Sequence, residues 1–324
     1  MQIQLGELLN TEVNRRQFLE GALAATFLAA TGLGTYELGT FAEYDPTNPV
    51  IDIVYRKIPG MTGNAFTIHL TDIHYGGEEA YVNALVLEQV VFKINKTLYM
   101  LGATPDNTAL IMTGDWVSKI EEPRFHIRSP RGGETDPKDI PVMLEILKDL
   151  NADHLIGALG NHDIKYAYRR ELVKRILQSG IHLLDTESGF YTGDFAIPII
   201  VLDDYTEFKP LYTPTSVAEI AKKINSRRGP KIIGTHNASV VDLTRLGLLV
   251  DGETEFDCGH THGGHTKHKR LIQHALSDRY KSRFVRGLYQ YGKNIVQMTD
   301  GLGQHPQAAF RQIPAGVRIN AYSG

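Results

Sequence analysis

The sequence predicts an α/β fold, in which strands and helices alternate along the chain. The first observation is a series of short apolar runs rich in β-branched residues, which are too short for helices. The second is that longer amphipathic segments separate these runs. We predict strands at 51–54, 66–70, 109–112, 154–158, 197–202, 231–234 and 295–298, with a further short run around Phe256.

The amphipathic segments between these strands predict helices. The first spans 79–101 and is followed by Gly102, a residue type that often ends a helix. In the second, apolar side chains share one face up to Gly180, namely Tyr168, Leu172, Val173, Ile176 and Leu177. In the third, Ser216 and Glu219 have the spacing of a capping box, and apolar residues follow at helical spacing.

The composition excludes several classes of protein. Only one of the 324 residues, Cys258, is a cysteine, which excludes an internal disulfide and a thiolate metal cluster. Hydrophobic residues make up 42% and charged residues 22%, which is typical of a globular chain and not of a disordered one. The net charge of -3 does not indicate nucleic-acid binding, so no nucleic-acid partner is expected. The 13 histidines instead indicate metal or proton chemistry.

Residues 1–45 are predicted to be a targeting segment and linker, and residues 46–324 the functional domain. Arg15 and Arg16 precede an uncharged apolar stretch at 21–34, which is the layout of an export signal. The arginine pair followed by Phe-Leu resembles a twin-arginine signal, which implies the twin-arginine export machinery as a partner. We therefore expect a periplasmic or otherwise extracytoplasmic protein, with the segment either cleaved or kept as an anchor in the cytoplasmic membrane. The alternative is an ordinary N-terminal helix.

Polar groups suited to metal binding follow five of the predicted strands. They are Asp72 and His74, Asp115, Asn161 with His162 and Asp163, His236, and His260 with His262. In α/β sheets, sites form where loops leave the carboxyl ends of strands. An extended backbone would point both side chains of Asp72-x-His74 the same way, and likewise those of His260-x-His262. Turn chemistry or a solvated loop explains each block alone, but the joint pattern indicates a metal site.

The order D-x-H, G-D, G-N-H-D, H and G-H-x-H resembles that of the calcineurin-like metallophosphoesterase superfamily. It is most similar to the exported bacterial branch of YkuE/YaeI-like phosphodiesterases. The resemblance covers residues 50–324. It implies a four-layer α-β-β-α sandwich in which two mixed β-sheets face each other. The alternation of elements is compatible with that architecture and equally with a single doubly wound sheet.

The resemblance also implies a dinuclear metal site. The residues that match the ligands of the first ion are Asp72, His74, Asp115 and His262. Those that match the ligands of the second ion are Asp115, Asn161, His236 and His260, so that Asp115 would bridge the two. The resemblance further implies that Asn161 and His162 bind the substrate, that His162 protonates the leaving group, and that Asp163 orients His162. Nitrogen and oxygen ligands suit Mn²⁺, Fe or Zn²⁺ and do not choose among them.

The implied reaction is the hydrolysis of a phosphoester at the cell envelope, with a phosphodiester favoured. A hydroxide that bridges the metals would attack phosphorus in line. One alternative enzyme is a hydrolase of UDP-sugar lipids or other lipid pyrophosphates. An alternative of another class is a non-catalytic envelope-binding protein on the same fold. Binding-only relatives have lost ligands or the histidine of G-N-H-D, and none of these residues is missing here.

Two polar segments beside these motifs carry hypotheses about specificity. Residues 119–136 contain three arginines that can reach substrate phosphates as forked donors, Arg124, Arg128 and Arg131. Residues 265–286 contain seven Lys and Arg residues and are predicted to favour anionic lipid headgroups or envelope phosphodiesters at a membrane surface. The alternative for this segment is a solvated basic face. Trp116 either lines the cleft or packs in the core, and Cys258 is expected to be a small buried side chain.

Overall fold

The structure, a computed structural model, describes residues 46–76, 80–118, 135–264, 282–303 and 315–324. The strands are β1 Val50–Lys57, β2 Asn64–Leu70, β3 Thr108–Met112, β4 His154–Gly157, β5 His182–Leu183, β6 Ile199–Leu202, β7 Lys231–Thr235, β8 Thr254–Cys258, β9 Gly287–Tyr291, β10 Asn294–Met298 and β11 Gly316–Ser323. The α-helices are α1 Ala84–Met100, α2 Ile140–Lys148, α3 Asn161–Lys165, α4 Arg169–Gln178, α5 Tyr205–Phe208, α6 Pro214–Asn225, α7 Ser239–Asp242 and α8 Leu246–Leu249. Short 3₁₀ turns lie at Pro105–Asn107, Lys209–Leu211 and His262–Gly264.

The strands form two mixed sheets, which confirms the α/β class. The first sheet has the order β1-β11-β2-β3-β4-β5, and only the β11–β2 pair in it is antiparallel. The second has the order β6-β7-β8-β10-β9, and only the β10–β9 pair in it is antiparallel. The carboxyl ends of β2, β3 and β4 therefore lie side by side in one sheet, and those of β7 and β8 lie side by side in the other.

Three apolar clusters hold these layers together. One joins the first sheet to α1, α2 and α4, and a second joins the second sheet to α6, α7 and α8. The third contains buried residues of both sheets, including Ile111 and Ile156 of the first and Val201 and Ile232 of the second. The two sheets therefore pack directly on each other, which brings the loops that leave their strands together.

The structure corrects two predicted helix boundaries. Helix α1 begins at Ala84 and not at 79, because the Asn83 side chain accepts the Val86 N–H at 3.1 Å and caps the first turn. Helix α6 begins at Pro214 and not after Ser216, because Thr213 is the N-cap and accepts the Ser216 N–H. Proline suits the first helical position, where its missing N–H leaves no hydrogen bond unmade.

Several elements carried no clear sequence signal. Strand β11 was not predicted because Arg318 and Asn320 interrupt its apolar run, although both side chains are buried. Strands β5 and β9 and helix α2 were likewise not predicted. The predicted targeting segment, the three arginines in 119–134 and the basic residues in 265–281 lie outside the described residues. No helix in the described ranges is long and apolar enough to cross a bilayer.

Candidate metal centre

The predicted ligands converge at the carboxyl ends of five strands. Asp72 and His74 follow β2, Asp115 follows β3, Asn161 follows β4, His236 follows β7, and His260 and His262 follow β8. All are buried except His260, which is partly exposed. Three groups have ligand atoms within 4.8 Å of one another, namely Asp72, His74 and His262; His74, Asp115 and His162; and Asp115, His236 and His260.

The backbone is left-handed at five of the predicted ligands. The expectation that the backbone is extended at Asp72-x-His74 and His260-x-His262 was therefore wrong. The φ angles are positive at Asp72 (52°), His74 (48°), Asp115 (53°), His260 (70°) and His262 (48°). A residue other than glycine held there costs of the order of 1–3 kcal/mol. Sharp turns at the strand ends, and not the period of a strand, therefore aim these side chains at one another.

The first cluster consists of Asp72, His74 and His262. The Nε2 atoms of His74 and His262 lie 3.2 Å apart, and His262 Nε2 lies 3.5 Å from Asp72 Oδ1. Asp72 Oδ2 accepts the Thr71 hydroxyl and the His260 N–H, both at 2.9 Å. Among the described residues, the buried Asp72 Oδ1 has no hydrogen-bond partner. One oxygen is thus held by the protein while the other faces two imidazoles, which is how a metal ligand is presented.

The second cluster consists of Asp115, Asn161, His236 and His260. His236 Nε2 lies 3.3 Å from Asp115 Oδ2, 3.0 Å from Asn161 Oδ1 and 3.1 Å from His260 Nδ1. The same Asp115 oxygen lies 3.6 Å from His74 Nε2 of the first cluster. Asp115 therefore stands between the two clusters, as the prediction of a bridging carboxylate requires.

Backbone carbonyls fix the tautomers of two of these histidines. His236 Nδ1 lies 3.0 Å from the Thr113 carbonyl oxygen, and His262 Nδ1 lies 3.3 Å from that of Gly303. A carbonyl can only accept, so Nδ1 carries the proton in each ring. In the neutral imidazole the Nε2 lone pair is then directed into the cluster, and metal-binding histidines are oriented by the same kind of outer contact.

Neither a protein-family model nor a curated protein matches the chain. What this site does must therefore be inferred from its geometry and chemistry. Buried groups of histidine and aspartate at these distances can hold a metal ion.

The electrostatics of the site are dominated by buried carboxylates. Burial would lower the pKa of His236, but the Asp115 carboxylate beside it raises that pKa to about 10. Burial would raise the pKa of Asp115, but His236 and His162 hold it well below its usual range. Burial raises the pKa of Asp72 to about 6. The site therefore holds buried carboxylates whose charge must be offset by a proton on a neighbouring imidazole or by a bound cation.

The G-N-H-D turn is tied to the turn that carries Asp115. The His162 N–H donates to Asp115 Oδ1 at 2.9 Å, and the His162 ring lies edge-on to the His74 ring with centroids 4.7 Å apart. The two oxygens of Asp163 accept the Gly160 N–H at 2.8 Å and the Val117 N–H at 3.1 Å. Asp163 thus joins the two turns, and its orientation of the His162 ring stays a prediction.

The neighbours of Asp115 in sequence have structural contacts. Trp116 is buried in the core, where its indole N–H donates to the Ala158 carbonyl at 2.7 Å. The Ser118 hydroxyl donates to the His74 carbonyl at 3.2 Å and so supports the turn at a predicted ligand. Cys258 is fully buried, as predicted, and burial raises the pKa of its thiol well above the ordinary value.

Two buried residues beside the site were not predicted. Asp204 follows β6, and its Oδ1 accepts the Glu207 N–H at 3.0 Å, while its Oδ2 has no hydrogen-bond partner within the described ranges. Burial raises its pKa to about 6, although His236 opposes the shift. The same rule of polar residues at strand ends would have found it, since it closely follows the predicted strand at 197–202.

His69 is the second residue that was not predicted, and it links the two sheets behind the site. Its Nε2 lies 2.9 Å from the Thr113 hydroxyl at the end of β3, and its Nδ1 lies 2.7 Å from the Thr299 hydroxyl after β10. Burial lowers its pKa to about 3, so the ring is neutral at physiological pH. A lone histidine in an apolar strand gives no sequence signal for this role.

Proposed function

We propose that this chain is a metal-dependent phosphoesterase of the calcineurin-like kind, and that it prefers phosphodiesters. The observation that carries the proposal is the position of Asp115 Oδ2, which lies 3.6 Å from His74 of one cluster and 3.3 Å from His236 of the other. A carboxylate shared by two histidine-rich clusters is suited to two cations side by side. Paired cations are a common solution for the hydrolysis of anionic esters.

The residues present fit two divalent ions. One position would be held by Asp72, His74, Asp115 and His262, and the other by Asp115, Asn161, His236 and His260. The free oxygen of Asp72 and the inward Nε2 atoms of His236 and His262 support this assignment. When bound, such ions neutralise the charge of a phosphoester and supply a nucleophile at neutral pH. The mixture of imidazole, carboxylate and amide ligands suits Mn²⁺, Fe or Zn²⁺.

The protein groups around the clusters have their own tasks in this proposal. The backbone N–H of His162 donates to Asp115 and so holds the His162 ring beside His74. From there the ring can contact a substrate oxygen and donate a proton to the leaving group. Asn161 contributes a neutral oxygen that binds a cation or substrate without adding negative charge. Asp163 keeps the turn of Asn161 and His162 against the turn of Asp115.

The architecture is compatible with this family. Two mixed sheets packed on each other, with helices joined to each by its own apolar cluster, agree with a four-layer α-β-β-α sandwich. We also propose that residues 1–45 direct export and that the substrate is an envelope phosphoester. The arginine pair and the apolar stretch at 21–34 support this location.

The test is metal analysis of the purified protein together with hydrolysis rates for one aryl phosphodiester and one aryl phosphomonoester. We expect about two divalent ions per chain and a higher rate on the diester. Asp72→Asn should remove one ion and abolish hydrolysis, because the free oxygen becomes part of a neutral amide. Asp153→Asn, which changes an exposed aspartate, is the matched control and should leave both unchanged.

The outcomes separate the competing functions. Full activity in a chelator-stripped sample would overturn the proposal. Stoichiometric metal without hydrolysis of any phosphoester would favour the envelope-binding alternative. Hydrolysis of a lipid pyrophosphate with no activity on the diester would favour the pyrophosphohydrolase.

A further inference from the structure

Helix α1 exposes an unusual row of large apolar side chains. Leu85, Phe92 and Tyr99 are spaced seven residues apart and expose 63%, 69% and 83% of their surface, and the adjacent Met100 exposes 67%. The opposite face of the helix is buried in the core. A spacing of seven residues is nearly two helical turns, so the three side chains form one stripe along the outside of the helix.

Polar residues lie between the apolar side chains of the stripe on the exposed face. Glu88, Gln89 and Lys96 complete the exposed face, and Lys93 lies at its edge. Single exposed apolar residues are ordinary, but three large ones in line on one helix, with Met100 beside the last, mark a surface that is covered in use. Large aromatic and aliphatic side chains exposed on a helix can enter the interface of a bilayer, and lysines beside them can contact its anionic headgroups. Tyrosine in particular is enriched at the level of the headgroups.

The chain enters the domain beside this same helix. Lys93 Nζ donates to the Thr47 carbonyl at 2.8 Å and to Asn48 Oδ1 at 2.6 Å. The described part of the chain therefore begins next to the middle of α1, and the apolar stretch at 21–34 precedes it in the sequence. Its last residue is thirteen residues from Thr47, a distance of at most roughly 45 Å even for an extended chain. A bilayer that held the stretch would always be within reach of the stripe.

We propose that the stripe Leu85, Phe92, Tyr99 and Met100 docks helix α1 on an anionic lipid bilayer and fixes the orientation of the domain on the membrane. The occupant is the lipid interface itself. Neither a second copy of the chain nor another segment of this chain is the occupant. The inference uses neither the metal clusters nor hydrolysis, so it stands or falls separately from the proposed activity.

The test places an environment-sensitive fluorophore on the stripe of the full-length chain. Phe92→Cys and, separately, Tyr99→Cys are labelled with a nitrobenzoxadiazole thiol reagent and mixed with vesicles of phosphatidylcholine and phosphatidylglycerol. The native Cys258 is buried, and labelling of the wild-type protein measures how much it contributes to the signal. Leu177→Cys on α4, which changes an apolar helical residue that is 55% exposed, is the matched control.

We expect emission from positions 92 and 99 to move to shorter wavelength when vesicles are added, and emission from position 177 to stay unchanged. Failure of the protein to bind the vesicles, or binding without a change at 92 and 99, would overturn the proposal. An equal change at all three positions would do the same, because the domain would then have no preferred face. Emission at short wavelength before vesicles are added would also overturn the proposal, because protein would then cover the stripe. If that emission moved to longer wavelength on dilution, the cover would be a second copy of the chain. If it did not move, the cover would be a segment of the same chain.

Discussion

The Nε2 atoms of His74 and His262 lie 3.2 Å apart, and Asp72 Oδ1 is 3.5 Å from the second of them. Two nitrogens at this distance need a proton or a cation between them, because two lone pairs repel. The Nδ1 atom of His262 faces a carbonyl and keeps its own proton, so the lone pair of the neutral ring lies on the inward nitrogen, where it can bind a cation. The arrangement of these side chains therefore favours a positive charge at the centre of the cluster.

The first prediction is that divalent cations stabilise the fold. Since the clusters exist only in the folded chain, a free ion at a hundred times its Kd should raise the free energy of unfolding by about 2.7 kcal/mol per site. Urea unfolding of chelator-treated protein, with and without Mn²⁺ or Zn²⁺, measures this difference.

His262→Ala should remove the part of the metal-induced stabilisation that comes from the ion at Asp72, His74 and His262, and leave the part that comes from the other ion. His182→Ala, which removes an exposed histidine, is the control and should preserve both parts. The same increment in His262→Ala as in the wild type would mean that the first ion binds elsewhere.

The second prediction concerns Gly160, where the two turns of the site touch. A Cβ atom there would lie 2.2 Å from Asp115 Oδ1 and 2.4 Å from the Asp115 nitrogen. One of the turns would have to shift, so Gly160→Ala should lower metal content and reduce hydrolysis more than tenfold. Metal analysis and rates on the phosphodiester measure both effects.

Gly180→Ala separates this crowding from backbone strain. Gly180 has a φ of +86°, and a Cβ atom at this position would meet no neighbouring atom within 4 Å. The substitution should therefore cost about 1–2 kcal/mol of stability, because the left-handed backbone strains an alanine, while metal content stays intact. Equal loss of metal in the two variants would contradict the assigned role of Gly160.

The third prediction is a pH dependence that comes from His69. Burial lowers its pKa from 6.5 to about 3, so below pH 6.5 the unfolded chain binds a proton that the folded chain does not. The neutral His69 ring therefore makes its full contribution to the free energy of unfolding above about pH 6.5, and this contribution falls as the pH decreases toward 3. The loss approaches about 1.4 kcal/mol per pH unit.

His69→Gln keeps hydrogen-bonding capacity but cannot titrate. Urea unfolding between pH 7 and pH 5 should therefore show a shallower loss of stability for the variant than for the wild type. Other titrating groups, including His236, are common to both proteins and cancel in the difference. Parallel pH profiles would show that His69 is protonated in the folded state or unperturbed.

The residues of the site could be predicted from sequence because their signal is local. Asp72, Asp115 and His236 each follow a short β-branched run, and the carboxyl ends of parallel strands must lie at one edge of a sheet. Asp204 obeys the same rule but belongs to no motif, so its sequence context did not single it out. His69 lies inside a strand, where nothing in the sequence distinguishes a linking side chain from a buried one.

The division of the strands between two sheets could not be predicted, because strand pairing is a long-range property. Strand β1 at one end of the domain pairs with β11 at the other. The inward face of β11 is polar, since Asn320 donates to Glu255 of β8 at 2.7 Å. Strand β11 therefore lacks the apolar sequence pattern that would predict a buried strand. The left-handed turns at Asp72 and His260 could not be predicted either, because residues other than glycine rarely adopt them.

The last prediction separates proton donation by His162 from metal binding. If His162 protonates the leaving group, its loss should matter most for leaving groups that are poor without a proton. His162→Gln should therefore lower the rate on an alkyl phosphodiester by about 10²–10⁴ and affect a nitrophenyl ester much less. Metal content should stay at the wild-type level, because the contact to Asp115 is made by the His162 backbone N–H, which the variant keeps. An equal loss of rate on both esters would show that His162 binds the phosphate without donating a proton, and a loss of metal would place it among the ligands.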